Sequence, residues 1–364
     1  ATSSLFSASM LFAAVFAVVS GWALDKYGPR LVISLMGLLT GSSLLLASQA
    51  GSLWQLFLSY SLLLSMGTGA TYAVLMTTVS RWFDKKRGLV LGIAGSGSGF
   101  GAIVMVPFAA YLVSNLGWRM SYIVMGLVAW LVVISASRLL RNDPSEIGVL
   151  PDGAKIETAI TEAEIKEESP QPNGLSLPQV VRTRNFWLFL SVWLLASFCS
   201  NLVTTHVVPH ATDIGISTVA AATVLSFMGG FNIISRLLIG RISDIIGRKT
   251  PFIISALLRA GAVAGLIWAR ELWMFYLFAI IFGLAWGGVG VTSTTLITDT
   301  FRGRNLGTIM GIINTAHLLG AALGPFVGGL VFDAHNDYSL AFALATVAML
   351  ITSILVAFCQ TGNE

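Results

Sequence analysis

The sequence predicts an all-α membrane protein built from two related halves. Three observations carry this: too little charge for a water-facing surface, eleven apolar stretches of spanning length, and an internal repeat at a fixed offset. Of 364 residues, 55% are apolar and only 10% are charged. A soluble globular chain carries about 25% charged residues. A soluble enzyme, a nucleic-acid binder and a disordered chain are therefore set aside, and lipid is the solvent for most of this surface. The net charge of +4 does not restore a nucleic-acid partner, because the basic residues sit in short clusters between apolar runs. Cys199 and Cys359 lie in apolar stretches without ligand spacing and read as packing residues.

A spanning helix needs about 20 mostly apolar residues. Eleven stretches qualify: 5–24, 31–49, 53–80, 88–114, 118–140, 186–210, 216–239, 251–269, 272–298, 305–332 and 338–360. They are rich in Gly, Ala, Leu and Ser, as packed membrane helices are. Pro107, Pro209 and Pro325 fall inside or near span ends, where neighbours or water satisfy the freed carbonyls. Of the 21 Lys and Arg residues, all but Arg119, Arg236, Arg259 and Arg270 fall in one alternating set of loops. The basic set is expected on the cytoplasmic side, with the C-terminus inside and residue 1 outside. The expected home is a bacterial cytoplasmic (inner) membrane.

Residues 141–185 break the apolar pattern. They hold Asp143-Pro144, Pro151-Asp152-Gly153, an acidic run from Glu162 to Glu168, and Pro170-Gln171-Pro172. This reads as a polar cytoplasmic linker. It separates an N-terminal half, 1–140, from a C-terminal half, 186–364.

The halves echo each other. Gly21-Trp22-Ala23-Leu24-Asp25-Lys26-Tyr27-Gly28-Pro29-Arg30 resembles Gly240-Arg241-Ile242-Ser243-Asp244-Ile245-Ile246-Gly247-Arg248-Lys249, an offset that takes position 21 to position 240. The same offset carries Gly92-Ile93 onto Gly311-Ile312 and Gly101-Ala102 onto Gly320-Ala321. Parallel repeats of this size are a transporter architecture, with substrate between the halves near the midplane. The first span of the second half has no partner after residue 1. The parent protein is therefore expected to have twelve spans, and this chain to lack the first.

The doubled segment resembles the G-x-x-x-D-[RK]-x-G-[PRK]-[RK] signature of the major facilitator superfamily. Glycines let helix ends approach, and Asp25 and Asp244 are placed to pair with basic groups or cap a neighbouring helix. Asp25, Arg30, Asp244, Arg248 and Asp299 are the expected latch at the cytoplasmic face. A narrower resemblance lies at Trp82-Phe83-Asp84-Lys85-Lys86-Arg87-Gly88-Leu89-Val90-Leu91-Gly92-Ile93-Ala94-Gly95-Ser96-Gly97. It is similar to a motif of the monocarboxylate transporter family, and the bacterial oxalate/formate antiporter family has a similar run. The resemblance implies the major facilitator fold, two six-helix halves.

Arg236 is the first candidate for chemistry. It sits about 6 Å inside Gly240 along its helix. An intramembrane Arg costs at least about 2.5 kcal/mol and usually faces a cavity. Asn232 lies one turn away on the same face, and a guanidinium fork suits a carboxylate. In the monocarboxylate transporters an Asp and an Arg four residues later on this helix are functional. Arg236 matches that Arg, while Asn232 stands at the Asp. His317 is the second candidate. It sits mid-span, and the repeat pairs it with Ser98. The oxalate/formate antiporters have a Lys near this place. A His there is able to bind one carboxylate together with a proton. Tyr72, Phe282 and Trp286 are expected to form the apolar wall of the pocket. His206 is the outer-gate candidate, and Arg259 reads as a packing or snorkelling residue.

The expected function is secondary transport of small monocarboxylates such as L-lactate or pyruvate. Proton symport by alternating access is the expected mode, with His317 and Arg236 as proton-coupling candidates. The rivals are an oxalate/formate-type antiporter and a transport-inactive receptor of the same fold. No nucleophile triad, metal cluster or phosphate loop is visible, so neither an enzyme nor a cofactor is expected. The expected partners are a small carboxylate, protons and the bilayer.

Overall fold

The computed structural model describes residues 2–153, 176–301 and 305–359. The acidic run from Glu162 to Glu168 lies outside the described residues. Eleven helices among those described are long and apolar enough to span a membrane. They are α1 (Thr2–Tyr27), α2 (Pro29–Ser48), α3 (Leu53–Trp82), α4 (87–116), α5 (118–137), α6 (Arg184–Asp213), α7 (Thr218–Ile246), α8 (Lys249–Leu266), α9 (Leu272–Thr300), α10 (Leu306–His335) and α11 (Ser339–Ala357). The spans thus match the eleven expected from hydropathy. A short helix, Leu177–Arg182, precedes α6.

Local chemistry sets the helix ends. α6 and α7 start at Thr183 and Ser217, whose hydroxyls accept from the N–H groups of Phe186 and Ala220. α4 and α5 form one helical run interrupted at Gly117, with φ 75° and ψ 165°. The turns after α1 and α7 pass through Gly28 at φ 78° and Gly247 at φ 88°. Both are left-handed positions that suit glycine. The repeat offset carries one onto the other, so the repeat is conformational as well as chemical. Buried hydroxyls inside α9 are satisfied within the helix: Thr292, Thr294 and Thr295 donate to carbonyls four residues back at 2.6, 2.9 and 3.0 Å.

By contact the chain forms two compact units that interleave the sequence halves. The first comprises Ala1–Lys86, Phe100–Val180 and Phe301–Thr315. The second comprises Arg87–Gly99, Val181–Thr300 and Ala316–Glu364. Each unit therefore holds most of one half plus the opening turns of a helix from the other.

Within the first unit α1 crosses the start of α10, and a Cβ on Gly307 would lie 2.7 Å from the carbonyl oxygen of Gly21 and 2.7 Å from Asp25 Oδ1. Trp130 on α5 donates its ring N–H to the Leu38 carbonyl of α2 at 2.9 Å. Within the second unit α7 lies along α9, and α8 packs on α9 and α11. Glycines set the α7–α9 approach: a Cβ on Gly283 would meet the Met228 carbonyl oxygen at 2.6 Å.

Because no side chain fits at the α1–α10 crossing, Gly307→Val is expected to destabilise by about 1–3 kcal/mol, the usual cost of overpacking. Gly261 on α8 has open space around its Cβ position, so Gly261→Ala should be neutral or stabilising, since Ala is the better helix former. Thermal unfolding of both variants in detergent checks this; equal midpoints for the two would refute the crossing as a packing constraint.

Candidate functional site

Two constellations stand out, one at helix N-termini and one around Arg236. The first begins with orphan donors. The opening N–H groups of a helix have no intrahelical acceptor and carry its positive end. In the first unit Asp25 supplies that acceptor for α10. Its Oδ1 accepts from Gly307 N–H at 2.9 Å, and its Oδ2 accepts from Thr308 N–H at 2.7 Å and Thr308 Oγ1 at 2.8 Å. Arg81 Nη2 closes on Asp25 Oδ1 at 2.9 Å, with the Asp25 side chain only 8% exposed. In the second unit Asp244 does the same for α4. Gly88 and Leu89 N–H donate to its two oxygens at 2.8 and 2.9 Å. The repeat offset again relates the two caps: it carries Asp25 onto Asp244, and Gly88 onto Gly307.

The second cap extends into a charge network. Arg248 pairs with Asp244 and also reaches Asp299 Oδ2 through Nε at 3.2 Å. Arg87, at the first position of α4, pairs with Asp299. Asp299 therefore joins Asp244 through Arg248, as the sequence suggested. Arg30 does not sit with Asp25: it lines a separate cavity after α1, and Arg81 takes the place beside the carboxylate. Arg81, Gly88 and Gly307 were not singled out from the sequence, although the repeat offset already pairs Gly88 with Gly307.

Arg236 lies in the second unit, on the face of α7 that crosses α4 and α9. Glycine gives it room. A Cβ on Gly95 of α4 would collide with Nη1, and one on Gly290 of α9 would lie 3.6 Å from Nη2. Its Nε donates to Asn232 Oδ1 at 3.0 Å. Nη1 of Arg236 and Nδ2 of Asn232 are both buried without a hydrogen-bond partner among the described residues. Two adjacent unmet donors are costly in a low-dielectric setting unless an acceptor arrives. The pair can accept a carboxylate through parallel N–H bonds.

The remaining candidates divide. His317 sits on the part of α10 that belongs to the second unit, its ring edge-on to Trp193 of α6 at 5.5 Å. Phe282 is fully buried, and its ring lies under the Arg259 guanidinium at 4.8 Å. It is thus a packing surface for a cation rather than an open wall. Trp286, one turn on, is half-buried with its ring 6.0 Å from Phe282. Tyr72 is half-buried on α3 in the first unit. His206 donates through Nε2 to the Pro325 carbonyl at 3.0 Å and lies 5.1 Å from the Tyr338 ring.

Arg259 does not snorkel. It is 1% exposed, its Nη2 donates to the Ala196 carbonyl at 3.2 Å and to Ser200 Oγ, and no carboxylate pairs with it among the described residues. Its position in the middle of an Ala- and Gly-rich span was the available signal, since neither end of α8 is within side-chain reach.

The family model described as "Major Facilitator Superfamily" matches residues 1–317 and 233–362. Monocarboxylate transporter 12 of Rattus norvegicus is 28% identical, over 98% of this chain and 76% of the relative. Monocarboxylate transporter 2 of Homo sapiens is 23% identical, over 95% of this chain and 75% of the relative. The oxalate:formate antiporter of Oxalobacter formigenes is 23% identical, over 98% and 82%. Among solved structures, the fucose:proton symporter of E. coli superposes with a TM-score of 0.77 at 13% identity, covering 98% of this chain and 91% of that one. The human organic anion transporter MFSD10 gives 0.72 at 16%, covering 97% and 82%. These structures share the fold, and with the family match across nearly the whole sequence the chain belongs to the major facilitator superfamily.

Proposed function

We propose that this protein is a secondary transporter of small monocarboxylates, coupled to protons and working by alternating access. The single observation that carries the reading is the unmet donor pair of Arg236 and Asn232 inside a membrane helix. Several relatives are named as monocarboxylate transporters and one as an oxalate:formate antiporter, which supports a carboxylate as the substrate class.

In this reading the substrate carboxylate accepts from the free edge of Arg236 and from Asn232. One negative charge then meets one permanent positive charge. Asn232 cannot carry a proton, so the coupling proton falls to His317, the titratable group in the middle of α10. The two aspartate caps hold α1 to α10 and α7 to α4 at the basic end, which the positive-inside rule makes cytoplasmic. Releasing the caps frees that end. Rebuilding them closes it, and each cycle exchanges the same backbone N–H donors between carboxylate and water.

Arg236→Ala removes a charged hydrogen bond worth about 1.5–3 kcal/mol. It should raise the KM for lactate roughly tenfold to a hundredfold. Arg236→Lys should fall between, because a point charge lacks the fork. Uptake into proteoliposomes of the purified protein, driven by an inward proton gradient, measures both. Normal transport by the two variants would sink the reading.

His317→Gln should abolish the response to the proton gradient while leaving exchange of internal for external lactate intact. Uptake that instead needs internal acid and ignores pH, in the wild type, would establish the antiporter reading.

Asp244→Asn weakens the α4 cap and leaves Arg248 with Asp299 alone. It is expected to lower Vmax several-fold with little change in KM, because the cap lies away from Arg236. A changed KM at unchanged Vmax would place Asp244 at the substrate instead.

A further inference from the structure

We infer that the first unit carries a second anion site, built for a phosphate-bearing group, in a cavity beside the α1–α2 turn. The cavity measures about 340 Å³, at the small end of the roughly 300–1,000 Å³ typical of ligand pockets. Arg30 reaches it from the start of α2. Arg138 and Arg141 reach it from the chain leaving α5, and Glu146 is the one carboxylate lining it.

Charge is the first argument. Three arginines and one glutamate line the hollow, an excess of two positive charges. Three other arginines at this end of the helices are paired: Arg81 with Asp25, Arg87 with Asp299 and Arg248 with Asp244. Among the described residues Arg30, Arg138 and Arg141 enter no ion pair. The positive-inside rule explains basic residues on this face. It does not gather three unpaired ones around a cavity.

Rigidity is the second argument. The walls are tied to each other before any ligand arrives. Ser34 on α2 donates to the Arg30 carbonyl at 2.7 Å, and its hydroxyl lies 2.7 Å from that of Ser137 on α5. Trp82 donates to the Arg141 carbonyl at 3.2 Å, and Arg81 bonds the Asn142 side chain. A site whose backbone is already fixed loses less entropy on binding.

The ligand class follows from the donors. A monocarboxylate offers one charge in one plane. A phosphate group offers up to two charges and several oxygens to forks arriving from different sides. The cavity lies just beyond the ends of spans Ser9–Tyr27, Pro29–Ser48 and Tyr111–Ser137. That is the level of lipid headgroups, and basic pockets at helix ends suit anionic ones. The phosphate therefore has two sources, an anionic lipid headgroup or free phosphate. The inference does not depend on the transport reading, and its test reads binding alone.

The test uses the full protein in detergent, as wild type, Arg138→Gln/Arg141→Gln and Arg141→Gln. One arm follows the thermal midpoint against inorganic phosphate at constant ionic strength. The other counts phosphatidylglycerol and phosphatidylcholine molecules retained in native mass spectrometry. A phosphate-dependent rise in the wild type, with apparent affinity at least tenfold weaker in the double variant, identifies free phosphate. Preferential retention of phosphatidylglycerol, lost in the double variant and reduced in Arg141→Gln, identifies the headgroup. Either outcome supports the site. No phosphate effect together with equal retention of the two lipids overturns it, as does binding that is the same in all three proteins. The wild-type lipid preference stands as a readout even if the double variant fails to fold.

Discussion

The carboxylate that caps another helix is the constraint on which the rest depends. A helix N-terminus inside a membrane protein presents unmet N–H donors that lipid cannot satisfy. Asp25 and Asp244 each meet two of them, on a helix that belongs to the other half of the sequence. Such a cap works only if the helix axes come close, and that closeness is possible only with glycine at both sides. Gly21 against Gly307, and Gly240 against Gly88, are the pairs that allow it. Removing Asp25 also leaves the half-buried Arg81 without its carboxylate, whereas Arg248 keeps Asp299 when Asp244 is lost. Each cap is confined to a few atoms.

The same crossing explains where the candidate site sits. One turn inward from each cap a second glycine meets the opposite helix: Gly311 against the Ala17 carbonyl, and Gly92 against the Arg236 carbonyl. The repeat offset relates these contacts too, carrying position 17 onto 236 and position 92 onto 311. The backbone geometry is duplicated while the side chains are not. One copy carries a methyl group and the other a guanidinium. The repeat supplies a close-packed scaffold twice, and the chemistry resides in the copy that broke the symmetry.

How much of this is legible in the sequence depends on whether the signal is local. The eleven spans were, because length and hydropathy are local quantities. The break at Gly117 and the turns at Gly28 and Gly247 were, because polar and glycine punctuation marks them. Asp25 and Asp244 were visible through the doubled motif. Their partners were not, since the donors are anonymous backbone N–H groups in the opposite half of the chain. Arg30 was assigned to the latch by its place in the motif, yet Arg81 occupies that role because α3 brings it to Asp25. Phe282 was assigned to a pocket wall by residue type. Which side of α9 faces Arg259 is a matter of packing that one sequence does not encode visibly.

Arg259 completes the electrostatic picture of the second unit. A guanidinium in the middle of a membrane helix is costly. Here a carbonyl, a hydroxyl and an aromatic face offset that cost, through Ala196, Ser200 and Phe282. None of these partners carries a negative charge, so the positive charge persists. Arg236 likewise has only the neutral Asn232 beside it. Asp244 and Asp299 are spent at one end on Arg87, Arg248 and the α4 cap, and Asp213, Glu271, Asp333 and Asp337 lie at the other helix ends of the unit. The unit therefore keeps these carboxylates at the ends of its helices and leaves two cations in its spans without a carboxylate partner among the described residues. In a low-dielectric interior such an arrangement draws in an anion and makes a cation costly. Arg236 and Arg259 each keep a buried donor without a partner among the described residues, Nη1 in the first and Nε in the second. Arg259 is fixed through Nη2 and lies over the Phe282 ring.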